Sequence, residues 1–404
     1  MLTFDTLYAW VKDMPILDWH NHLDMRMLAE DKPLGSLYEV WVKSDPYKHR
    51  AMRICGEPER LITGDAPEDE KWAVWMRTLP KLVGNPIFAW AEQELTFLRG
   101  TGNGERGTGS SGWWRDLENV SLADWTPSKM LAKFGVEYMS PCVGAGELGS
   151  LEVWKSGSSD GTASKPLNLQ PSIVPSLRMN AGDVVPEETL EKFHAAGCRI
   201  VDISVDDVAQ LLTLNAQLST VAAFAAAHGW TMLLHLGALR ETSARLRAAA
   251  GAAGGFAGMR APVDPAAVSA FLNALEKAGS LPRTVLMSLN PEAHAQLAVL
   301  AGSFNGEGLP GKVQLGPAWW WCDHEEGIRD VLEKNAAYGV LSTFIGMTTD
   351  SRSLLSFVRH DYFRRILCKW VAEKVSAGVF PSDEALLRPM LENVCYRNAE
   401  RMIK

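Results

Sequence analysis

Eight short apolar runs, each followed by a polar or glycine-bearing turn, constrain the fold of this chain more than any other feature. They are ILDWHNH from 16, VEYMSPCV from 136, LNLQPSIVPS from 167, CRIVDIS from 198, TMLLHLG from 231, RTVLMSL from 283, KVQLGPAWWW from 312 and TFIGMTTDS from 343. Runs this apolar lack the one-sided alternation of a half-wet sheet and suit parallel strands buried on both faces. Helical patterns lie between them, over 187–196, 208–228, 265–277, 325–338 and 353–377, the first opening on Pro-Glu-Glu as a helix N-terminus does. Eight strands alternating with helices predict an α/β fold, a (β/α)8 TIM-type barrel rather than an open sheet. One gap is too long for a crossover. Residues 24–134 are helical in pattern and rich in tryptophan, so they are expected to form an inserted helical subdomain between strands 1 and 2, with 1–23 and 135–404 making the barrel. Glycine- and serine-rich stretches at 100–112 and 156–165, and an alanine-glycine tract at 248–258, are expected to be loops. No internal repeat is visible.

Composition narrows the partners. Hydrophobic residues make up 47% and charged residues 22% of the 404, which excludes disorder, collagen and coiled coil. Asp and Glu number 48 against 40 Lys and Arg, and the net charge of −8 argues against a nucleic-acid surface. The six cysteines form no CxxC pair and read as reduced thiols. The opening MLTFDTLYAWVKDMP has neither a basic start nor a long apolar core, and no run approaches the ~20 apolar residues needed to span a bilayer. A soluble, cytoplasmic protein with no membrane partner is expected.

The sharpest chemical signal is Asp18-Trp-His20-Asn-His22 at the end of the first run. Side chains alternate along a strand, so the two histidines face the same way, toward a barrel mouth where imidazole can bind a divalent ion. His235 ends the fifth run and Asp350 the eighth. Alone, each reads as an ordinary strand-end residue; together with His20 and His22 they make a four-group metal site, or three ligands and a general base. Arg178, Arg240 and Arg352 follow the third, fifth and eighth runs, on the face where barrel chemistry sits, and favour a carboxylate-bearing substrate. Trp319 and Trp320 end the seventh run and could wall a pocket against a sugar ring. Gly144-Ala-Gly146-Glu-Leu-Gly149 matches GxGxxG, but the pattern after it collapses at once, so a dinucleotide cofactor is not expected. His49, His194, His228, His294, His324 and His360 lie on helix or loop patterns and are expected in solvated or helix-end roles, and Arg364 and Arg365 as clamps on the barrel.

Longer motifs carry a resemblance. DWHNHL at 18–23, LYEVW at 37–41, YKHRAMR at 47–53, LHLGALR at 234–240, AWWW at 318–321, GMTTDSRSLLSF at 346–357 and RHDYFRRIL at 359–367 occur in order. In these the chain resembles the uronate isomerase (glucuronate isomerase) family, a divergent branch of the amidohydrolase superfamily of metal-dependent barrels. The resemblance implies interconversion of D-glucuronate with D-fructuronate and of D-galacturonate with D-tagaturonate. It implies one divalent ion, Zn2+, held by His20, His22, His235 and Asp350. Asp350, Tyr47 and Arg352 would be catalytic, and Arg178, Trp319, Arg352 and Arg240 would bind a small-molecule sugar acid, in a homo-oligomer. The chain also departs from the family. His-Tyr reads Pro46-Tyr47, S-F-R-P-D reads Ser176-Leu-Arg178-Met-Asn180, S-D-H-G reads Val201-Asp202-Ile203-Ser204, and T-D-D-P reads Ser140-Pro-Cys142-Val143. The expected function is therefore a hexuronate isomerase with an altered substrate preference. A sugar-acid lactonase or other hydrolase of the same metal-barrel type, or a non-catalytic sugar-acid binder, remain alternatives; the lack of a histidine in the sixth run argues against a hydrolase.

Overall fold

A computed structural model describes residues 2–99, 114, 117, 120–147, 171–213, 215–261, 263–306 and 308–404. The glycine-serine stretches at 100–112 and 156–165 and the end of the GxGxxG segment lie outside them. Among the described residues ten strands follow in chain order: β1 Ile16–Asn21, β2 Val136–Gly144, β3 Ser172–Ile173, β4 Ser176–Asn180, β5 Ile200–Val205, β6 Thr231–Leu236, β7 Ala238–Leu239, β8 Gly258–Met259, β9 Arg283–Ser288 and β10 Val313–Leu315. β1, β2, β4, β5, β6, β9 and β10 run parallel in that order, β3 adds to β2, and β7 and β8 form a separate antiparallel ribbon. β1, β5 and β6 are buried along their whole length, the two-faced burial that continuous apolar runs predict. The parallel strands curl into a TIM-type barrel sheathed by helices, among them Glu187–Ala195, Pro265–Lys277, Glu325–Tyr338 and Val358–Ser376. No helix among the described residues is long and apolar enough to cross a membrane.

Two runs fold differently from expectation. The eighth, 343–351, forms no strand. It lies extended beside β1, the Asp350 amide donating to the His20 carbonyl at 3.1 Å and the His22 amide to the Ser351 carbonyl at 2.8 Å. On its other flank the Ile345 amide donates to the Gln314 side chain of β10. Gly346, at φ 73°, explains part of the irregularity: a side chain there would run into the Val394 carbonyl. The third run is late rather than absent: its strand is Ser176–Asn180, so Arg178 sits within the strand and not after it. Trp319 and Trp320 likewise lie beyond β10, which ends at Leu315.

Between β1 and β2 stand helices Met25–Glu30, Leu37–Trp41, Pro46–Ile54, Glu68–Thr78, Pro86–Leu98 and Pro127–Phe134. Side chains of Asp24, Ser36, Asp45, Asn85 and Thr126 cap five of them by accepting first-turn amides, and three begin on proline. Their buried Trp41, Trp75 and Trp90 belong to the same apolar cluster as Leu177, Ile203 and Phe363 of the barrel. The segment thus seats on the barrel through a continuous core, which carries Tyr47 to the mouth.

Candidate metal centre and active site

The site begins with an irregularity in β1. Its register against β2 slips between Ile16 and Leu17 and again between Asp18 and Asn21. Leu17 and Trp19 join an inner apolar cluster with Tyr138, Ile200, Leu233 and Met287. Within the second slip His20 comes to the same inner side, its ring centroid 4.9 Å from that of His235. Asp18, fully buried, turns the other way and ties β1 to its neighbours. It accepts from Asn21 Nδ2 at 2.8 Å, the Thr349 amide at 2.7 Å, Thr349 Oγ1 at 2.8 Å and His360 Nε2 at 3.1 Å. Thr348 Oγ1 stands 2.9 Å from the same carboxylate and accepts the His20 amide. These bonds set His20 against Asp350.

His20 Nε2 and His22 Nε2 converge on one oxygen, Asp350 Oδ1, at 3.0 and 3.1 Å. Asp350 holds the left-handed φ of 46°, which aspartate tolerates better than bulkier residues and which aims the carboxylate into the mouth. Its other oxygen, Oδ2, is buried without a partner. On the far side of His20, Nδ1 lies 3.3 Å from Cys142 Sγ and 3.8 Å from Asp202 Oδ2. Asp202 Oδ1 bonds His235 Nδ1 at 2.6 Å, leaving His235 Nε2 buried and unpartnered. Donor atoms of His20, His22 and Cys142, and of His20, Asp202 and His235, lie within 4.8 Å of one another.

Charge favours a cation here. Burial raises the Asp350 and Asp202 carboxyls, yet their neighbours reverse the shift and hold both well below the usual range: His20 and His22 for Asp350, Arg178, His235 and His20 for Asp202. Burial lowers His235 to about 4 and lowers His22, which keeps both imidazoles neutral and able to ligate. Burial pulls His20 the same way, but Cys142, Asp202 and Asp350 around it lift it well above its ordinary value. The pocket asks for positive charge at that point. Unpartnered His235 Nε2 and the Asp350 Oδ1 on which His20 and His22 converge supply lone pairs, so the donor set fits a divalent ion.

Two guanidiniums flank this centre. Arg178 pairs with Asp202 and donates from Nη2 to Ser204 Oγ at 2.9 Å; Arg240 donates to the same hydroxyl, pairs with Asp206 at 2.9 Å and lies over the Trp320 ring at 5.1 Å. Trp319 is buried with its ring centroid 4.3 Å from that of His235. Tyr47 reaches the mouth from helix Pro46–Ile54, edge-on to Trp90 and Trp321. Burial raises its phenol well above 10, opposed by Arg359 and reinforced by Asp350, Asp323 and Asp45. Arg352 is exposed and makes no hydrogen bond or ion pair with the described residues.

The structure therefore brings His20, His22, His235, Asp350, Arg178, Arg240, Trp319 and Tyr47 to one mouth, whereas Arg352, exposed two residues past Asp350, makes no hydrogen bond or ion pair with them. It also adds groups outside the expected set: Asp202, Cys142, Asp18 and the Arg359–Asp323 pair at 3.4 Å. Asp202 was the findable one, a lone acid inside the apolar run CRIVDIS. His49, His294 and His360 are buried rather than solvated, His294 pairing with Asp330 and His360 with Asp18, because packing against neighbouring elements covers those helix faces. Arg364 does clamp, donating to the Lys12 and Pro15 carbonyls.

A family model described as glucuronate isomerase matches residues 3–179 and 213–403. The uronate isomerase of Caldicellulosiruptor bescii is 33% identical over 454 residues, covering 98% of this chain and 96% of that protein. That of Serratia proteamaculans is 34% identical over 452 residues, covering 97% and 94%. Among solved structures, the uronate isomerase from Thermotoga maritima superposes with a TM-score of 0.82 at 25% identity over 99% of this chain and 97% of that one. The glucuronate isomerase from Caulobacter crescentus gives 0.80 at 18% identity over 99% and 93%, a likeness of fold.

Proposed function

The chain belongs to the glucuronate isomerase family, and on that premise we propose that it is a metal-dependent aldose–ketose isomerase of hexuronates, of the D-glucuronate to D-fructuronate and D-galacturonate to D-tagaturonate type. The observation that carries the reading is the convergence of His20 and His22 on Asp350 beside two guanidiniums meeting at Ser204. His20, His22, His235 and Asp350 would hold one divalent ion, Zn2+ by the chemistry of nitrogen donors in a small buried site. Such an ion supplies Lewis-acid stabilisation of charge developing on the substrate's oxygens.

The remaining work falls to the chain's own groups. Isomerisation moves a proton between C2 and C1 through a cis-enediol, so it needs an acceptor, a donor and a counter-charge. Asp350, held ionised by its two imidazoles, keeps Oδ2 unpartnered as the acceptor. Tyr47, its phenol pushed up by burial, stays protonated and donates. Environments that drive two groups apart in this way favour an acid–base pair. Arg178 and Arg240 bind the uronate carboxylate, Arg352 takes a substrate oxygen, and Trp319 walls the sugar. Where a hydrolase would use a sixth-strand histidine, β9 sets Met287 level with His235, which disfavours water activation.

The test is isotope exchange. A zinc-loaded sample incubated in heavy water with glucuronate or galacturonate should place deuterium at C1 or C2 of the sugar. Product without exchange would overturn the enediol proton transfer, and neither product nor exchange with any hexuronate would overturn the assignment.

A further inference from the structure

We infer that Cys142 is a sulfur donor to the cation of this site, so that the centre is a mixed nitrogen–sulfur one. The inference rests on the reading that His20 and His22 hold a divalent ion. Cys142 stands where the resembled family has an oxygen side chain, on β2 beside the second register slip of β1. That slip turns His20 toward β2. Cys142 Sγ then lies 3.3 Å from His20 Nδ1, 3.5 Å from Asp202 Oδ2 and 3.4 Å from Ser176 Oγ, which donates to it. A tetrahedral zinc with a sulfur at ~2.3 Å and a nitrogen at ~2.0 Å sets those two donors roughly 3.5 Å apart. The observed sulfur–nitrogen distance matches that edge, and His22 completes a three-donor face within 4.8 Å.

A second observation points the same way. His235 Nε2 is fully buried and unpartnered on the ring adjoining His20, fixed there by the Nδ1 bond to Asp202. An unpartnered nitrogen, a sulfur and a histidine flanked by carboxylates are what a soft-to-borderline ion requires. With sulfur on the Nδ1 side, the His20 Nε2 bond to Asp350 Oδ1 persists and Asp350 Oδ2 stays unpartnered to act on substrate. On binding, the Cys142 thiol proton passes to solvent and the sulfur electron pair goes to the cation. The consequence is selectivity. Zinc, cobalt and cadmium should bind in preference to manganese and magnesium.

Cobalt titration of the metal-free full chain tests this. Visible ligand-field bands report a cation on the imidazoles; a near-ultraviolet thiolate-to-cobalt charge-transfer band reports sulfur. The expected result is both bands, with Cys142→Ser keeping the visible bands, losing the charge-transfer band and weakening zinc binding at least about tenfold. Visible bands without the charge-transfer band in the unaltered chain would overturn the sulfur donor and leave the metal reading standing. Neither band would overturn both. Independently of any variant, zinc should block alkylation at the peptide carrying Cys142 while leaving the part-exposed Cys55 reactive. Equal labelling of Cys142 with and without zinc would also overturn the donor role.

Discussion

Asp18→Asn should cost roughly 2–5 kcal/mol of stability and loosen the metal site, although Asp18 touches no candidate ligand except through its own strand. Asp18 is fully buried, which alone would raise its carboxyl, but the bonds from His360 and Thr349 outweigh burial and hold it below 3.8. The ionised form is therefore the one the fold uses. An amide in its place keeps the shape and reverses one oxygen. If nitrogen takes the Oδ2 position, Asn21 Nδ2 loses its acceptor, a stranded buried donor worth ~1–3 kcal/mol. The Thr349 hydroxyl can rotate, but the bonds left on Oδ1, from the Thr349 amide and His360, drop from charge-assisted to neutral strength, ~0.5–1 kcal/mol each. Because Thr348 and Thr349 carry the chain into Asp350, the loss also frees Asp350 to move from His20 and His22. Urea unfolding and zinc stoichiometry measured together are the assay. A stability change under ~1 kcal/mol, or full stability loss with unchanged zinc affinity in the folded fraction, would refute this reasoning. The pH dependence has a definite sign: Asp18 stabilises above 3.8, and its contribution disappears as pH falls through its depressed native value.

Tyr47→Phe should lower kcat by about 10²–10⁴-fold while shifting stability by less than ~0.5 kcal/mol, since the rings that hold it are untouched; turnover and urea midpoints check both. Asp323 behaves oppositely to Asp18. Burial raises it to about 6 despite Arg359, so its contribution is fully present below 3.8 and is lost as pH rises through 6. The unaltered chain should lose roughly 1–3 kcal/mol from this group across that interval, and unfolding curves of Asp323→Asn between pH 4 and 7 should lack that slope. Arg240→Ala should raise KM for a hexuronate at least about tenfold and alter kcat far less, because Ser204 and Asp202 still hold Arg178 in the site; initial-rate kinetics decide it.

Much of the barrel was legible because a parallel strand buried on both faces leaves an apolar run, and β1, β5, β6 and β9 coincide with such runs. The site histidines were legible for a reason that proved incomplete. Alternation places His20 and His22 alike, yet Trp19 and His20 both face inward, and a register slip that no periodicity announces makes that possible. The eighth run failed as a strand because Gly346 and the left-handed Asp350 break the ladder, and both belong to the function of that segment rather than to its hydrophobicity. Asp202 and Cys142 were missed as site members because their roles depend on which neighbouring strand they meet, and cross-strand register is a tertiary property.

The unladdered stretch from Phe344 to Ser351 has one further consequence. A barrel whose last stave is fastened by side chains and two amides has a seam, and the seam runs between His20 and Asp350. Whatever binds both residues acts as a clasp across it. Loading the centre should therefore slow amide exchange along this stretch far more than in β5 or β6, making the mouth's closure a property of occupancy rather than of the sheet.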